Sequence, residues 1–328
     1  MSAMTDAEWT KYWDVGLTTT FGGNIANYDG EVAAFWAREL DGQAGHVVDL
    51  CCGNGALVWL ANELLQSAAP AVRISGVDSA DIRPFELLKK AAADYPAIEF
   101  IGGTSIESLP FQDASIDMAI SQYGIEYADF DRTFTELDRV LKPTAKIALI
   151  VHSDASVVVR ESTASAEMYE YLLGEGKFYE TALELDTFYN TKKHMAGVRS
   201  DPQAARLLGR LNRASFEAHN LHFASPTDYT SSQQTVKSYI AFIMRLYDGS
   251  MAVRSPERRG VLEQWHAVVT STLRRIADLQ SAALSEQRLE HLRECIGRSG
   301  FTLVRDEPFY YGPAVQLYGT ALVACRGG

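Results

Sequence analysis

The sequence lacks the patterns of several large protein classes. Its four cysteines include no Cys-x-x-Cys pair, so neither a disulfide framework nor a zinc knuckle is predicted, and no other set of ligands has metal-binding spacing. No hydrophobic run is long enough to cross a bilayer, and the first residues show no basic start followed by an apolar run. We therefore expect a cytoplasmic protein with no signal peptide, no membrane partner and no bound metal.

Positive charge is also scarce. The net charge is -12, and because residues 155–285 are close to balanced, the excess acid lies in the rest of the chain. The basic stretches are only two residues long, as at Arg258-Arg259 and Arg274-Arg275. A nucleic-acid backbone is bound by local positive charge, so no nucleic-acid partner is expected.

Short apolar runs alternate with helical patterns in the first half of the chain. Runs typical of buried strands cover 46–51, 72–77, 98–101, 116–121 and 146–152, and helical patterns cover 56–66, 81–94 and 130–141. Strands and helices that alternate at this spacing predict an α/β fold, with a parallel sheet and helices on both faces.

The alternation stops after the fifth strand. From 153 to 285 the apolar residues fall at helical spacing, and a further helix at 285–300 precedes two strand patterns, 301–307 and 315–324, joined by a turn-rich link. The sequence therefore predicts a large helical insertion after strand five and a closing hairpin, whose last strand is antiparallel.

The stretch VVDLCCGNGALVWLA, residues 47–61, carries the clearest local signal. A glycine-rich turn between a first strand and a first helix lets the backbone approach a ligand and points helix N–H groups at it. Val58 stands where the nicotinamide-binding version has its third glycine, which disfavours a dehydrogenase. Asp49, just before the loop, would repel a pyrophosphate and suits a ligand that carries an ammonium group.

In this loop and in four later segments the sequence resembles the class I S-adenosylmethionine-dependent methyltransferases. The segments follow in the family's order: VVDLCCGNGAL, ISGVDSA, GGTSIESLPFQDASIDMAIS, LDRVLKPTAKIALI and LRECIGRSGFTLV. The resemblance implies a Rossmann-like methyltransferase sheet, with S-adenosyl-L-methionine as the cofactor and S-adenosyl-L-homocysteine as its product. It also implies that residues 46–152 and 286–328 form the cofactor-binding domain.

The resemblance further implies which residues bind the cofactor. They are Asp49, Gly53, Asn54 and Gly55 at the methionine end, Asp78 and Ser79 at the ribose, Ser105 and Ile106 at the adenine, and, beside these, Cys51, Gln122 and Tyr12. Two of them depart from the family pattern, since Cys51 stands where a glycine is common and Ser105 where an acid often binds the adenine amine. Cys51 and Cys52 are expected to pack as small residues under the loop.

Three residues are candidates for catalysis. Glu126 follows strand four and His152 ends strand five, where this fold brings cofactor and acceptor together, and a histidine has a suitable pKa for a general base. Tyr28 lies in an aromatic N-terminal segment, 1–45, predicted to form a helical cap. Each has a plainer alternative: solvation for Glu126, a structural hydrogen bond for His152 and helix packing for Tyr28.

The helical insertion, 153–285, is predicted to be a substrate lobe. An insertion after strand five emerges at the carboxyl edge of the sheet, where loops carry function in this kind of fold. Its near-neutral charge and many aromatic residues suit a medium-sized, partly apolar molecule or a peptide. Use of the insertion as a homodimer interface stays open.

The sequence thus predicts transfer of a methyl group to an O or N atom of a small molecule or peptide. The displacement would be in line and driven mainly by positioning and water exclusion. Two alternatives remain open: another S-adenosylmethionine-derived group transfer on the same fold, and a protein-docking module with a vestigial cofactor site.

Overall fold

Seven strands form one sheet in the computed structural model, which describes residues 4–19, 27–66, 72–191, 201–220, 231–248 and 255–326. The strands are β1 His46–Leu50, β2 Arg73–Val77, β3 Ile98–Ile101, β4 Ile116–Gln122, β5 Leu141–Val151, β6 Thr302–Tyr311 and β7 Gln316–Cys325. Their order is β3-β2-β1-β4-β5-β7-β6. β1 to β5 are parallel, and β7 pairs antiparallel with both β5 and β6. The predicted fold class is confirmed.

Helices surround this sheet and fill the segment between β5 and β6. They are α1 Asp6–Trp13, α2 Gly30–Leu40, α3 Ala56–Gln66, α4 Pro84–Leu87, α5 Phe130–Val140, α6 Val157–Leu173, α7 Phe178–Thr191, α8 Pro202–Asn220, α9 Ser231–Asp248, α10 Ser255–Ala282 and α11 Glu286–Arg298, with 3-10 turns at Ala92–Asp94 and Ile125–Tyr127. Of the helices described, none combines the length and the hydropathy needed to cross a membrane.

The sheet is buried on both faces because its central strands are apolar at successive positions. Side chains of a strand alternate between the two faces, so Val47 packs in a cluster with Trp36 and Leu57, while Val48 packs in another with Phe134. Burying one such large apolar side chain contributes roughly 1.5–3 kcal/mol. Polar residues are therefore expected only where strands end, and a buried acid within β1, Asp49, stands out.

Three predicted boundaries are wrong. The sixth strand runs to Tyr311 rather than 307, because Pro308–Tyr311 of the expected link still pair with β7. The expected helix at 81–94 is only the four residues Pro84–Leu87 followed by the 3-10 turn, because Lys89 adopts a left-handed backbone (φ +53°) that an α-helix does not accommodate. The fifth strand begins at Leu141 rather than 146, since Leu141 already pairs with Ile116 of β4 across a register shift.

The chain divides into two compact units. One comprises Met4–Val159 with Ser281–Gly328 and contains the whole sheet. The other, the helical unit Arg160–Gln280, has its own apolar core, whose fully buried members include Leu172, Phe178, Leu185, Leu211, Ile243 and Leu262. Within that core a buried ion pair joins Arg258 Nε to Asp186 Oδ1 at 3.2 Å.

Candidate active site

Two acids lie at the carboxyl ends of the neighbouring parallel strands β1 and β2. Asp49 is only 2% exposed, and no described residue donates a hydrogen bond to its carboxylate. Asp78 directly follows β2 and accepts hydrogen bonds from the backbone N–H of Gly53 (2.7 Å) and of Ala80 (2.9 Å). The Asp78 carboxylate thus holds the glycine loop, while the Asp49 carboxylate lies beneath the loop.

The electrostatics of this pair suit a cation. Burial, and then the nearby Asp78 carboxylate, raise the pKa of Asp49 well above its usual value. Burial also raises the pKa of Asp78, against its two backbone hydrogen bonds. In the described part of the chain, no lysine or arginine forms an ion pair with either acid, so a positively charged ligand would relieve an unfavourable arrangement.

The loop itself requires left-handed backbone at three positions. Gly53 (φ +52°) and Gly55 (φ +82°) adopt it at no steric cost, and Cys51 adopts it at φ +60°. A Cβ on Gly55 would lie 2.5 Å from the Phe100 ring, and one on Gly53 would overlap the Trp13 ring. The loop therefore needs its glycines for backbone conformation and for close packing.

The two cysteines pack beneath the loop as free thiols. Cys51 approaches Gly124, where an added Cβ would lie 2.5 Å from the Cys51 Cβ, and Cys52 approaches Gly76 in the same way. Burial, followed by the neighbouring carboxylates, raises the pKa of both thiols well above the usual value. Such thiols stay protonated and are poor nucleophiles and metal ligands.

The N-terminal helix α1 covers the loop. Asn54 Nδ2 donates to the carbonyl oxygens of Trp13 (2.9 Å) and Leu17 (2.8 Å), while its buried Oδ1 has no partner among the described residues. Tyr12 is half-buried and meets the Trp13 ring edge-on, with ring centroids 5.1 Å apart. Asn54 thus ties helix α1 and the residues after it to the loop, a contact that the motif alone does not indicate.

The residues predicted at the ribose and adenine end differ in their surroundings. Ser79 is exposed beside Asp78, and Ser105 is exposed with its hydroxyl accepting a hydrogen bond from the Glu107 N–H at 3.2 Å. Ile106 is buried in the apolar cluster that contains Leu50. Their predicted contacts with the cofactor stay predictions.

Gln122 ends β4, and its side-chain amide takes part in a hydrogen bond that the sequence does not predict. Its Oε1 accepts a hydrogen bond from the indole N–H of Trp36 on α2, at 2.5 Å. The amide Nε2 is buried and has no partner within the described ranges. An apolar helix gives no sign in sequence that its tryptophan will meet a strand-end glutamine, so only the tertiary structure reveals this contact.

Glu126 and His152 come together at the ends of β4 and β5. Glu126 Oε1 accepts a hydrogen bond from the His152 backbone N–H at 2.8 Å. Glu126 Oε2 and His152 Nδ1 are buried, and no described group hydrogen-bonds to either. Burial raises the pKa of Glu126 to about 7 and lowers that of His152 to about 3.

Two tyrosines lie near these groups. The Tyr123 ring stacks on His152 with centroids 4.0 Å apart, and its backbone is left-handed at φ +57°. Burial raises the pKa of the Tyr28 phenol, a hydrogen bond with Thr19 opposes this, and the Asp49 carboxylate adds to it. Tyr28 is therefore a neutral O–H near the cofactor loop and no phenolate base at neutral pH.

Among the described residues, one cluster of metal-ligating side chains occurs that spacing in sequence does not predict. It comprises Asp131, His291 and Cys295, whose ligand atoms lie within 4.8 Å of one another. Arg298 already contacts two of them, at 2.5 Å from Asp131 Oδ1 and 3.0 Å from Cys295 Sγ. The guanidinium thus takes the place that a metal ion would need, and this cluster is best described as an ion-pair network.

Comparison with known proteins gives the same family as the motifs. The family model described as a methyltransferase domain matches residues 47–144. A chloroplastic 2-phytyl-1,4-beta-naphthoquinone methyltransferase of Arabidopsis thaliana is 30% identical over 177 residues, which are 48% of this chain and 66% of that protein. A 2-phytyl-1,4-naphtoquinone methyltransferase of Nostoc sp. is 33% identical over 37% of this chain and 51% of its own length.

A solved 1,6-didemethyltoxoflavin-N1-methyltransferase of Burkholderia thailandensis is 11% identical, with 90% of this chain and 76% of that chain covered and a TM-score of 0.40. The chain spans less than two thirds of the length of the curated relatives that it matches. Residues 47–144 thus match a methyltransferase domain, and they lie within a sheet of the Rossmann-like type.

Proposed function

We propose that the protein transfers a methyl group from S-adenosylmethionine to a small molecule. The observation that carries this proposal is the pair of buried acids, Asp49 and Asp78, which lie around a glycine loop with no described cationic partner. S-adenosylmethionine carries a positive sulfonium and an ammonium group, and these positive charges suit the two buried carboxylates. The residues present therefore fit the cofactor that the methyltransferase domain implies.

The cofactor would be held by residues at the ends of β1 and β2. By resemblance, Asp78 accepts the ribose hydroxyls, for which a carboxylate that already takes two N–H bonds retains free lone pairs. Asp49 and the loop face the methionine end. When bound, the cofactor supplies an electrophilic methyl group, and the protein contributes positioning and exclusion of water.

Glu126 is the best candidate for a general base. Its Oε1 is fixed by the His152 N–H, which leaves Oε2 as the unpartnered acceptor for a proton. A pKa of about 7 suits proton transfer near neutral pH. His152 has a pKa of about 3 and is a neutral imidazole that positions Glu126 through its backbone.

The acceptor is proposed to be a small ring compound methylated at O or N. Relatives whose names specify naphthoquinone methyltransferases support a ring acceptor rather than a peptide. The helical segment 153–285 as a substrate lobe, the cap at 1–45, a homodimer and a cytoplasmic location all stay predictions of the sequence.

Product analysis tests the proposal. The protein is incubated with S-adenosylmethionine and hydroxylated ring compounds, and mass spectrometry should find a product heavier by one carbon and two hydrogens together with S-adenosylhomocysteine. Asp78→Asn should abolish turnover, while Asp81→Asn, an exposed acid three residues on, should retain it. A product heavier by an aminopropyl or carboxymethyl group would instead establish the alternative group transfer.

A further inference from the structure

A diagonal row of polar side chains crosses the carboxyl edge of the sheet. Asp49 of β1 pairs in register with Ile120 of β4, and Gln122 lies two residues further along β4. Gln122 in turn pairs with Ile150 of β5, and His152 lies two residues beyond Ile150. Because side chains two apart in a strand share a face, Asp49, Gln122 and His152 lie on one face at successive strand ends.

Two members of this row, together with Glu126, each have a buried atom without a partner. These atoms are Gln122 Nε2, His152 Nδ1 and Glu126 Oε2, on residues that are 8%, 7% and 1% exposed. None of the three atoms has a hydrogen-bond partner among the described residues. Buried polar atoms are rarely left unpaired, and three within a short stretch of sheet edge indicate a place where a ligand supplies the missing hydrogen bonds.

Each of these side chains is held in orientation by its other atoms. Trp36 Nε1 binds Gln122 Oε1 at 2.5 Å, and the His152 N–H binds Glu126 Oε1 at 2.8 Å. The His152 ring stacks on Tyr123, whose left-handed backbone is a conformation that non-glycine residues adopt mainly where the surroundings enforce it. The unpartnered atoms are therefore fixed in direction, as a binding site requires.

The row also lies next to the loop expected to hold the cofactor. The carboxylates of Asp78, Glu126 and Asp49 all act electrostatically on the Cys51 thiol of that loop. Glu126 in addition acts on the Tyr123 phenol. Glu126 therefore lies near both the cofactor loop and the Tyr123–His152 stack, where a methyl acceptor could meet the cofactor.

We propose that Gln122, Glu126 and His152 form the acceptor site and that it takes an uncharged planar ring bearing a hydroxyl or N–H group beside a carbonyl oxygen. This inference rests on the proposed function. The Gln122 amide NH₂ can only donate, so it takes the carbonyl oxygen, and the Glu126 carboxylate takes the hydroxyl or N–H proton. The stacked Tyr123 and His152 rings offer a flat surface. Because the three atoms are buried, the acceptor enters as side chains that cover them move.

Charge selects a neutral acceptor. An anionic acceptor would approach three carboxyls, those of Asp49, Asp78 and Glu126, and a cationic one would approach the sulfonium. The groups near Glu126 include the N–H groups of His152 and Gly124, the Cys51 thiol and the Tyr123 phenol. Arg288 donates to the Glu126 carbonyl oxygen at 3.0 Å. Arg288 already donates to backbone carbonyl oxygens, so its guanidinium is not available to bind a carboxylate on the acceptor.

The step balances without a further reactant. The lone pair of the acceptor's oxygen or nitrogen forms a bond to the methyl carbon as the carbon–sulfur bond breaks, and sulfur retains that electron pair. The proton of the hydroxyl or N–H group passes to Glu126 Oε2 and then to solvent. The products are the methylated ring and S-adenosylhomocysteine.

Matched ester and acid probes test the charge preference. Methyl salicylate and methyl 1-hydroxy-2-naphthoate each carry a hydroxyl beside a carbonyl, and salicylate and 1-hydroxy-2-naphthoate carry a negatively charged carboxylate in place of the methyl ester. Calorimetry with the protein saturated in S-adenosylhomocysteine should show each ester binding about tenfold or more tightly than its acid, since like-charge juxtaposition costs several kcal/mol. Equal or tighter binding of the acids, or no binding of either ester, overturns the proposal.

Two variants test the residues, with turnover of the esters as the readout. Gln122→Glu keeps the oxygen that Trp36 needs and removes the donor, so KM should rise about tenfold with a smaller change in kcat. Glu126→Gln should lower kcat about 100-fold and remove the rise in rate near pH 7 while ester binding persists. Thr133→Val is the matched control, because it removes a buried hydroxyl that also has no partner among the described residues. It should change neither KM nor kcat.

The outcomes separate this inference from the proposed function. If S-adenosylhomocysteine itself does not bind, the proposed function fails. If it binds and the Gln122→Glu variant keeps the original KM, or the Glu126→Gln variant keeps the pH profile, the acceptor site is wrong while the methyltransferase proposal stands.

Discussion

Glu126 has two carboxylate oxygens in different surroundings. One accepts the His152 N–H, and the other is buried without a described partner. This asymmetry cannot be read from the stretch SQYGIEYAD, in which Glu126 looks like an exposed acid of a turn. The position after strand four indicates a residue near the acceptor, but only the folded chain shows that the side chain is withdrawn from solvent.

The raised pKa of Glu126 makes stability depend on pH. The folded protein holds this proton up to about pH 7, whereas the unfolded chain releases it near pH 4.5. The folded state therefore binds more protons between these values, and stability falls as pH rises. The free energy of unfolding of the wild type, relative to Glu126→Gln, should fall by roughly 3 kcal/mol from pH 5 to pH 8.

Urea unfolding of both proteins at the two pH values measures this difference. The depressed pKa values of His46 and His152 act in both proteins and cancel in the comparison. A difference that stays constant with pH would show that Glu126 ionises normally, and its role as a base with a pKa near neutrality would then be wrong.

Cys51 occupies a left-handed position where this family commonly has glycine. Its φ of +60° costs a non-glycine residue on the order of 1 kcal/mol, and a β-branched residue more. Cys51→Gly should therefore leave the free energy of unfolding within about 1 kcal/mol of the wild type, while Cys51→Val should lower it by about 2–3 kcal/mol. Chemical denaturation checks both, and equal effects would contradict the strained backbone.

At the scale of elements, helix α1 and the glycine loop depend on each other. A Cβ on Gly53 would overlap the Trp13 ring, whereas one on Gly42 meets nothing within 4 Å although its φ is also positive, at +68°. Gly53→Ala should displace Trp13, shift tryptophan emission to longer wavelength and cost about 1–3 kcal/mol more than Gly42→Ala. Identical emission and stability in the two variants would mean that α1 does not rest on the loop.

The strands and the order of motifs were predictable because each has a local cause. Buried parallel strands are mostly apolar, and Asp49 near the end of β1 and Asp78 just after β2 interrupt that pattern. The helix expected at 81–94 failed because the apolar spacing of Phe85 and Leu88 is compatible with one short turn as well as with a full helix. Contacts between distant segments, such as Trp36 with Gln122, have no local cause and could not be predicted.

At the scale of the whole molecule, the two units have separate cores, and the helical unit contains a buried charge pair. Removing Asp186 would leave the Arg258 guanidinium buried without its carboxylate. Asp186→Ala should therefore destabilise by about 3–5 kcal/mol, as breaking a buried pair does. Hydrogen exchange should rise within Arg160–Gln280, and exchange that rises only in the sheet unit would contradict this placement of the ion pair.

Binding of the cofactor is the central claim, and calorimetric titration tests it most directly. Wild-type protein is titrated with S-adenosylmethionine, S-adenosylhomocysteine and, as a control, NAD, and the titrations are repeated with Asp78→Asn and Asp81→Asn. We expect saturable binding of the first two ligands and none of NAD, with affinity lost in Asp78→Asn and kept in Asp81→Asn. Absence of binding to the wild type, or unchanged affinity in Asp78→Asn, would contradict a cofactor site built on these strand-end acids.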